Sequence, residues 1–469
     1  MKTLKMNTER IIPILLALLP VMVLLIIAGC SCPVKKEEAV TKEPPQSFVV
    51  HPEWSRYATI YEANIRQFTP EGTFQAFTAH IPRLKKMGVD ILWLMPIHPI
   101  GERGRKGTLG SYYSVKDYKG INPEFGTLED FKQLVGKAHA EGMKVIIDWV
   151  ANHTAWDHAW MEEHPEYYTK DSLGKIVSPF DWSDVADLNF DAPGLQDAMI
   201  DALKYWVKEA DIDGYRCDVA GMVPVEFWDK ARAELDAVKP VFMLAEAEEP
   251  QHHIRAFNMS YAWELHHILN DIANGKKNAN AIEAFYIKND TLYPRDAYRM
   301  LFTSNHDENS WQGTEFERMG PASVCMAVLT ATLPGMPLVY SGQESAFNKR
   351  LRFFEKDTID WKDYRLEPFY RKLFALKHAY QPLWNGNWGG KLQRIGTTAD
   401  SSVFVFMREK EGDRVLILTN LTPEVREFTL IGKAFAGDYK EWFSEEGATF
   451  RKGEIVRLKP WEYKIYVKK

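Results

Sequence analysis

The stretch GYRCDVA (residues 214–220) lies between YWVKEADID and GMVPVEFWDKARAEL. Its flanks read as helices and the stretch itself as a buried strand, yet it carries Arg216 and Asp218. Side chains at i and i+2 of a strand point to one face, so the two charges are neighbours by geometry. A strand that buries both on one face has a use for them there.

Outward from this stretch, short apolar runs alternate with amphipathic helical segments. The runs are ATIYEANI, VDILWLMP, MKVIIDWV, IDGYRCDV, PVFMLAEA, AFNMSYAWEL, YRMLFTSN and MPLVYSG, with helical periodicity in segments such as TLEDFKQLVGKAHAEG. Continuous apolar strands separated by helices indicate a parallel sheet covered by helices. Eight runs between residues 58 and 342 predict an α/β fold of the (β/α)8 TIM barrel type. After the third run, about forty residues rich in Trp, His, Asp and Pro replace the short loop, so a subdomain is inserted there. Beyond residue 379, SVFVFMRE, DRVLILTN, REFTLIG, EIVRLKP and YKIYVKK alternate apolar and polar residues and predict a C-terminal antiparallel β-sandwich domain. The expected organisation is a leader over 1–30, a flexible tether over 31–50, a barrel over 51–379 with its insertion at about 150–210, and the β domain over 380–469.

The leader is read from Lys2, Lys5 and Arg10 ahead of an apolar run over 11–28 that ends in AGC at Cys30. IIAGC resembles the lipobox of bacterial lipoproteins, which implies acylation of Cys30 and an exported, membrane-anchored protein, in the periplasm or at the surface. An uncleaved membrane anchor is the alternative. The polar, Pro-containing segment that follows suits a tether. Cys32 falls in it, which leaves Cys217 and Cys325 for the folded body, read as buried free thiols. The net charge of -6 argues against a nucleic-acid partner. With 15 Trp and 20 Tyr, the chain suits a ligand with flat faces and hydroxyls, or an aromatic-rich core.

In such a barrel the active site forms at the C-terminal ends of the strands. Those ends carry Asp148, Asn152 and His153 in DWVANH, Arg216 and Asp218 in GYRCDVA, Glu246 in LAEAE, and Asn305, His306 and Asp307 in TSNHDEN. One carboxylate alone reads equally well as a helix cap, but carboxylates at successive tips converge on one mouth.

DWVANH, GYRCDVA, FMLAEAE and FTSNHD resemble, in order, the four signature regions of the α-amylase family, glycoside hydrolase family 13. INPEFGTLEDF and LPGMPLVYSGQE resemble its flanking segments. The resemblance implies a retaining hydrolase of α-1,4-glucosidic bonds in starch-derived poly- and oligosaccharides. Asp218 would be the nucleophile, Glu246 the general acid and base, and Asp307 the carboxylate that stabilises the transition state. It also implies that Arg216 keeps Asp218 ionised, that His153 and His306 bind sugar hydroxyls, that Tyr113 stacks on the same sugar, and that Asp148 supports the site. Members often hold a structural Ca2+, which would fall to Asn152 and Asp187 here, although Asn152 also reads as a loop cap. No organic cofactor is expected.

Two departures stand out. The Lys-His that commonly follows the nucleophile motif is replaced by Gly221 and Met222, and Ser114 replaces an Asp after the stacking tyrosine. The pattern is closer to maltose-forming, cyclodextrin-cleaving (cyclomaltodextrinase), neopullulanase-like and α-1,6-cleaving relatives. A 4-α-glucanotransferase uses the same covalent intermediate, and a non-catalytic starch-binding lipoprotein on an enzyme fold is the reading from another class.

Overall fold

Eight parallel strands close into a barrel in chain order: Ile60–Ala63, Ile91–Leu94, Lys144–Trp149, Gly214–Cys217, Phe242–Ala245, Met259–Tyr261, Tyr298–Leu301 and Met336–Tyr340, the first pairing with the eighth. These are the eight runs expected from the sequence. The computed structural model describes residues 43–469, so the leader, most of the tether, Cys30 and Cys32 lie outside the described residues.

Strand parity explains why the barrel has a polar end. Ile60, Trp93, Ile146, Phe242 and Leu244 point inward and pack together with Met259, Met300 and Leu338. Two residues further along, the same inward rows end in Glu62, Asp148 and Glu246, and the row begun at Gly214 continues through Arg216 to Asp218. The rows through Ile60, Ile146 and Leu244 are apolar in the barrel and charged at its mouth. Gly214 is required where it stands: at φ 153° a Cβ would sit 1.8 Å from the Phe242 carbonyl oxygen, so the fourth and fifth strands approach only without one. The covering helices are punctuated by local chemistry, as in the capping box of Thr127 and Asp130 that opens Leu128–Ala140.

The insertion is shorter than 150–210. Its ribbon pairs His153–Ala155 antiparallel with Val185–Asp187, and Leu195–Ala210 is already the barrel helix that follows the third strand, burying Leu195, Met199, Leu203 and Trp206. In the C-terminal region, a six-stranded antiparallel sheet faces the two-stranded pair Arg426–Thr429 and Ile455–Leu458 across Val405, Leu416, Phe428 and Leu458. The other face of the large sheet joins the barrel's core through Phe404, Phe406, Ile417 and Ile465. Central strands such as Val403–Lys410 are therefore buried on both faces rather than on alternate residues. Strands Gly437–Glu441 and Gly447–Phe450 escaped the sequence reading because each buries little besides Tyr439 or Phe450.

The end of the expected tether is attached to the barrel. Ser47 Oγ donates to the His253 carbonyl at 2.9 Å, the Phe48 amide donates to the Ile254 carbonyl at 2.8 Å, and the Val50 carbonyl accepts from Arg232 at 3.0 Å and Asn258 at 3.2 Å. Cys217 and Cys325 are buried free thiols. Among the described residues no helix is long and apolar enough to cross a membrane.

Candidate active site

Arg216 stands at the centre of the barrel mouth. Its Nη1 donates to Asp218 Oδ1 at 2.8 Å and to Asp148 Oδ1 at 2.9 Å, and its Nε donates to Tyr261 Oη at 3.1 Å. Its Nη2 lies 2.9 Å from Glu246 Oε2, an ion pair not aligned as a hydrogen bond. Glu246 is fixed instead by the backbone amide of Val219, which donates to Oε2 at 2.8 Å. Val219 has φ 37° and ψ 45°, left-handed backbone that a β-branched residue adopts only under constraint. The turn right after Asp218 is thus strained into the shape that holds Glu246.

The carboxylates are graded in depth. The side chain of Asp148 is 0% exposed, Asp218 10%, Glu246 14% and Asp307 39%. Asp148 has its oxygens taken by Arg216, by Trp93 Nε1 at 3.1 Å and by Tyr113 Oη at 3.1 Å. Asp148 and Arg216 are both fully buried and act on the site through the residues they bond.

One guanidinium serves three carboxylates, and burial prevails. It pushes Asp148 and Asp218 up to about 6 despite Arg216. Burial pushes Glu246 further, to about 7, again against Arg216 and with Asp218 and Asp307 adding to the rise. The expected contact of Arg216 with Asp218 is present and favours the ionised form, but burial outweighs it. All three carboxyl groups are raised, Glu246 to the highest value.

On the other side of the mouth, Tyr113 Oη and His306 Nε2 are 2.7 Å apart and their rings are stacked at 5.4 Å and 21°. His306 Nε2 also lies 3.3 Å from Asp307 Oδ2, and its Nδ1 faces Glu62. Burial alone would lower its pKa, but Asp307 and Glu62 raise it to about 9, so His306 is an imidazolium at neutral pH. His153 differs. Burial lowers its pKa to about 4, its ring packs against Trp182, and its hydrogen-bond partners do not include the carboxylate group. Asn152 Nδ2 lies 3.4 Å from His153 Nδ1 and 3.5 Å from Asp187 Oδ1, which brings the two expected metal ligands together. They offer hard oxygens, but among the described residues no group of three or more His, Cys, Asp or Glu gathers at metal-binding distance.

The sequence reading missed Glu62, Trp93 and Tyr261. Glu62 had a signal, a lone charge inside ATIYEANI at the same tip position as the other carboxylates; the two aromatic residues read as ordinary core.

The family model described as "Alpha amylase, catalytic domain" matches residues 45–184 and 178–368. The chain belongs to the α-amylase family. Its relatives point to the same family. It is 31% identical to the noncanonic maltogenic α-amylase AmyB of Thermotoga neapolitana, whose crystal structure superposes with a TM-score of 0.81 over 88% of this chain and 98% of that one. It is 28% identical over 394 residues to α-amylase MalA of Haloarcula japonica, and 29% over 438 residues to an α-1,4-glucan:maltose-1-phosphate maltosyltransferase of Rhodospirillum rubrum. Those matches cover 80% and 84% of this chain but 56% and 61% of the relatives. Within the family, hydrolysis and transfer both stand beside this chain.

Proposed function

We infer that this family member is a retaining α-glucan hydrolase that cleaves α-1,4 bonds in starch-derived chains. The observation that carries the reading is the single guanidinium between Asp218 and Glu246, two carboxyl groups of unequal acidity. Retention needs one ionised carboxylate and one protonated carboxyl at short separation. Glu246, raised by burial and by the Asp218 and Asp307 charges, suits the protonated role, and Asp218, hydrogen-bonded to Arg216, the ionised one.

Asp218 attacks the anomeric carbon. As the glycosidic bond breaks, Glu246 gives its proton to the departing oxygen and a glycosyl ester forms on Asp218. Glu246, now a carboxylate, takes a proton from water as that water attacks the same carbon and releases Asp218. Two inversions restore the configuration. Asp307, the most exposed carboxylate, meets the sugar's hydroxyls at the mouth. The charged His306 donates from Nε2 beside it, and Tyr113 offers its ring. Asp148 and Arg216 position these groups without touching sugar.

Product analysis over time, with amylose, pullulan, cyclodextrin and maltotriose in separate reactions, tests the reading. Shorter sugars alone support hydrolysis, and the substrate that reacts fastest identifies bond and end preference. No product from any substrate would refute it in favour of the starch-binding lipoprotein.

A second reading is transfer to a sugar hydroxyl, as in a 4-α-glucanotransferase. It is favoured by Gly221 in place of the lysine, with the Glu249 carboxylate 3.0 Å from where a Cβ would stand, so the acceptor side of the nucleophile turn differs from that of a typical α-amylase. Longer sugars formed from maltotriose would select it.

We further propose a lipid anchor at Cys30 and a structural Ca2+ at Asn152 and Asp187. The anchor rests on the lipobox resemblance. Calcium would require backbone carbonyls to complete the shell of six to eight oxygens that it takes. A thermal midpoint lowered by EDTA and restored by Ca2+ supports the metal; an unchanged midpoint removes it.

A further inference from the structure

Directly after Asp307 the chain makes one π-helical turn, Glu308–Gln312, which buries Glu308 and Asn309 and leaves Trp311 51% exposed. Single π-turns occur often at functional sites, and a half-exposed Trp beside an active-site mouth stands out from scattered surface apolar residues. The ring is one end of a continuous row. Trp311 lies 5.2 Å from Phe353 with their planes at 39°, Phe353 lies 6.2 Å from Tyr113 and nearly parallel at 14°, and Tyr113 stacks on His306. Phe354 supports Trp311 at 5.8 Å and meets Phe353 edge-on at 5.2 Å.

The row is held in place. Asn309 Nδ2 donates to the Lys349 carbonyl at 3.2 Å and Asn309 Oδ1 accepts from the Leu351 amide at 2.9 Å, which ties the turn bearing Trp311 to the loop bearing Phe353. Such a row leading out of a sugar site offers successive faces for flat, C–H-rich pyranose rings.

We propose that Trp311 and Phe353 form a glucosyl-binding platform that extends the site on the non-reducing side of the scissile bond. The proposal rests on the hydrolase reading above. Direction follows from topology. Glu246, which serves the leaving side, is held by Arg216 and Val219 around the fourth and fifth strands, whereas Tyr113, Trp311 and Phe353 come from the loops after the second, seventh and eighth strands. The platform makes the enzyme favour substrates that carry further glucosyl units behind the one that reacts.

The test uses α-glucosyl, α-maltosyl and α-maltotriosyl fluoride, whose leaving group is fluoride, so that every sugar unit lies on the non-reducing side. Trp311→Ala is expected to lower kcat/KM for maltotriosyl fluoride by about tenfold, the order of one aromatic stacking contact, and to leave glucosyl fluoride unchanged. Trp311→Phe should recover most of the loss. Equal losses on all three fluorides would mean that the ring only shapes the mouth, and no loss on any would mean that it contacts no sugar; either overturns the proposal. A loss confined to intact oligosaccharides would put the platform on the leaving side, which also overturns it. Fluoride release absent from all three with the wild-type enzyme would instead remove the hydrolase reading, and the platform with it.

Discussion

Glu62 and His306, 244 residues apart in sequence, share a buried hydrogen bond beneath the active-site mouth, in which His306 Nδ1 donates to Glu62 Oε1. Glu62 is fully buried, and its Oε2 has no hydrogen-bond partner. Burial raises the pKa of Glu62 while the charged His306 opposes the rise. The pair thus sustains a cation where sugar hydroxyls are to be bound. In Glu62→Gln the imidazole of His306 should titrate well below 9, by NMR, and kcat/KM should fall by about tenfold at pH 7. An unchanged titration would mean that Asp307 alone sustains the charge.

Activity should be bell-shaped in pH. The acid limb falls as Asp218 and Asp148 take up protons near 6, and the alkaline limb as Glu246 loses its proton near 7. Because the groups interact, these are properties of the cluster. Glu246→Gln should abolish the alkaline limb on substrates with good leaving groups, such as glycosyl fluorides, and should hurt poor leaving groups most. Equal losses across leaving groups would argue against its acid role.

Asp218→Asn should reduce turnover by about 10⁴-fold or more while leaving the fold and sugar binding intact, as read by steady-state kinetics and calorimetry. Retained activity would remove Asp218 as the nucleophile.

The same cluster makes stability depend on pH. Asp148, Asp218 and Glu246 have folded pKa values above their ordinary ones, so the folded state holds more protons than the unfolded state between about pH 4 and 7. Stability then falls as pH rises through that window. His306, raised from 6.5 to about 9, acts in the same sense: its contribution is complete below 6.5 and is lost as pH rises through 9. Glu246→Gln should therefore raise the melting temperature by about 2 °C at pH 8 and have no effect at pH 4, measured by calorimetry. A variant less stable at pH 8 would contradict the burial penalty.

Removing residues 1–42 should release a soluble, active enzyme, and persistent membrane binding would contradict Cys30 as the sole anchor. Removing residues 43–50 as well deprives Arg232 and Asn258 of the Val50 carbonyl, and the melting temperature should drop by a few degrees.

The sequence by itself determined the barrel, because eight apolar runs at helical spacing have few other ways to bury both faces, and it determined the carboxylates, because charges at the ends of such runs are rare and chemically specific. Local punctuation such as GYRCDVA was legible for the same reason: the i, i+2 geometry is a property of any strand. The tertiary structure alone decided how the charges meet. In-register pairing of the third and fourth strands sets Asp148 beside Arg216, and barrel closure brings Glu62 from the first strand under His306. It also decided that Asp148 and Arg216 are buried beneath the mouth, that His153 is neutral, and that Val219 is strained into holding Glu246. Those outcomes depend on which distant residues share one desolvated space, and desolvation is a sum over neighbours that no local stretch of sequence contains.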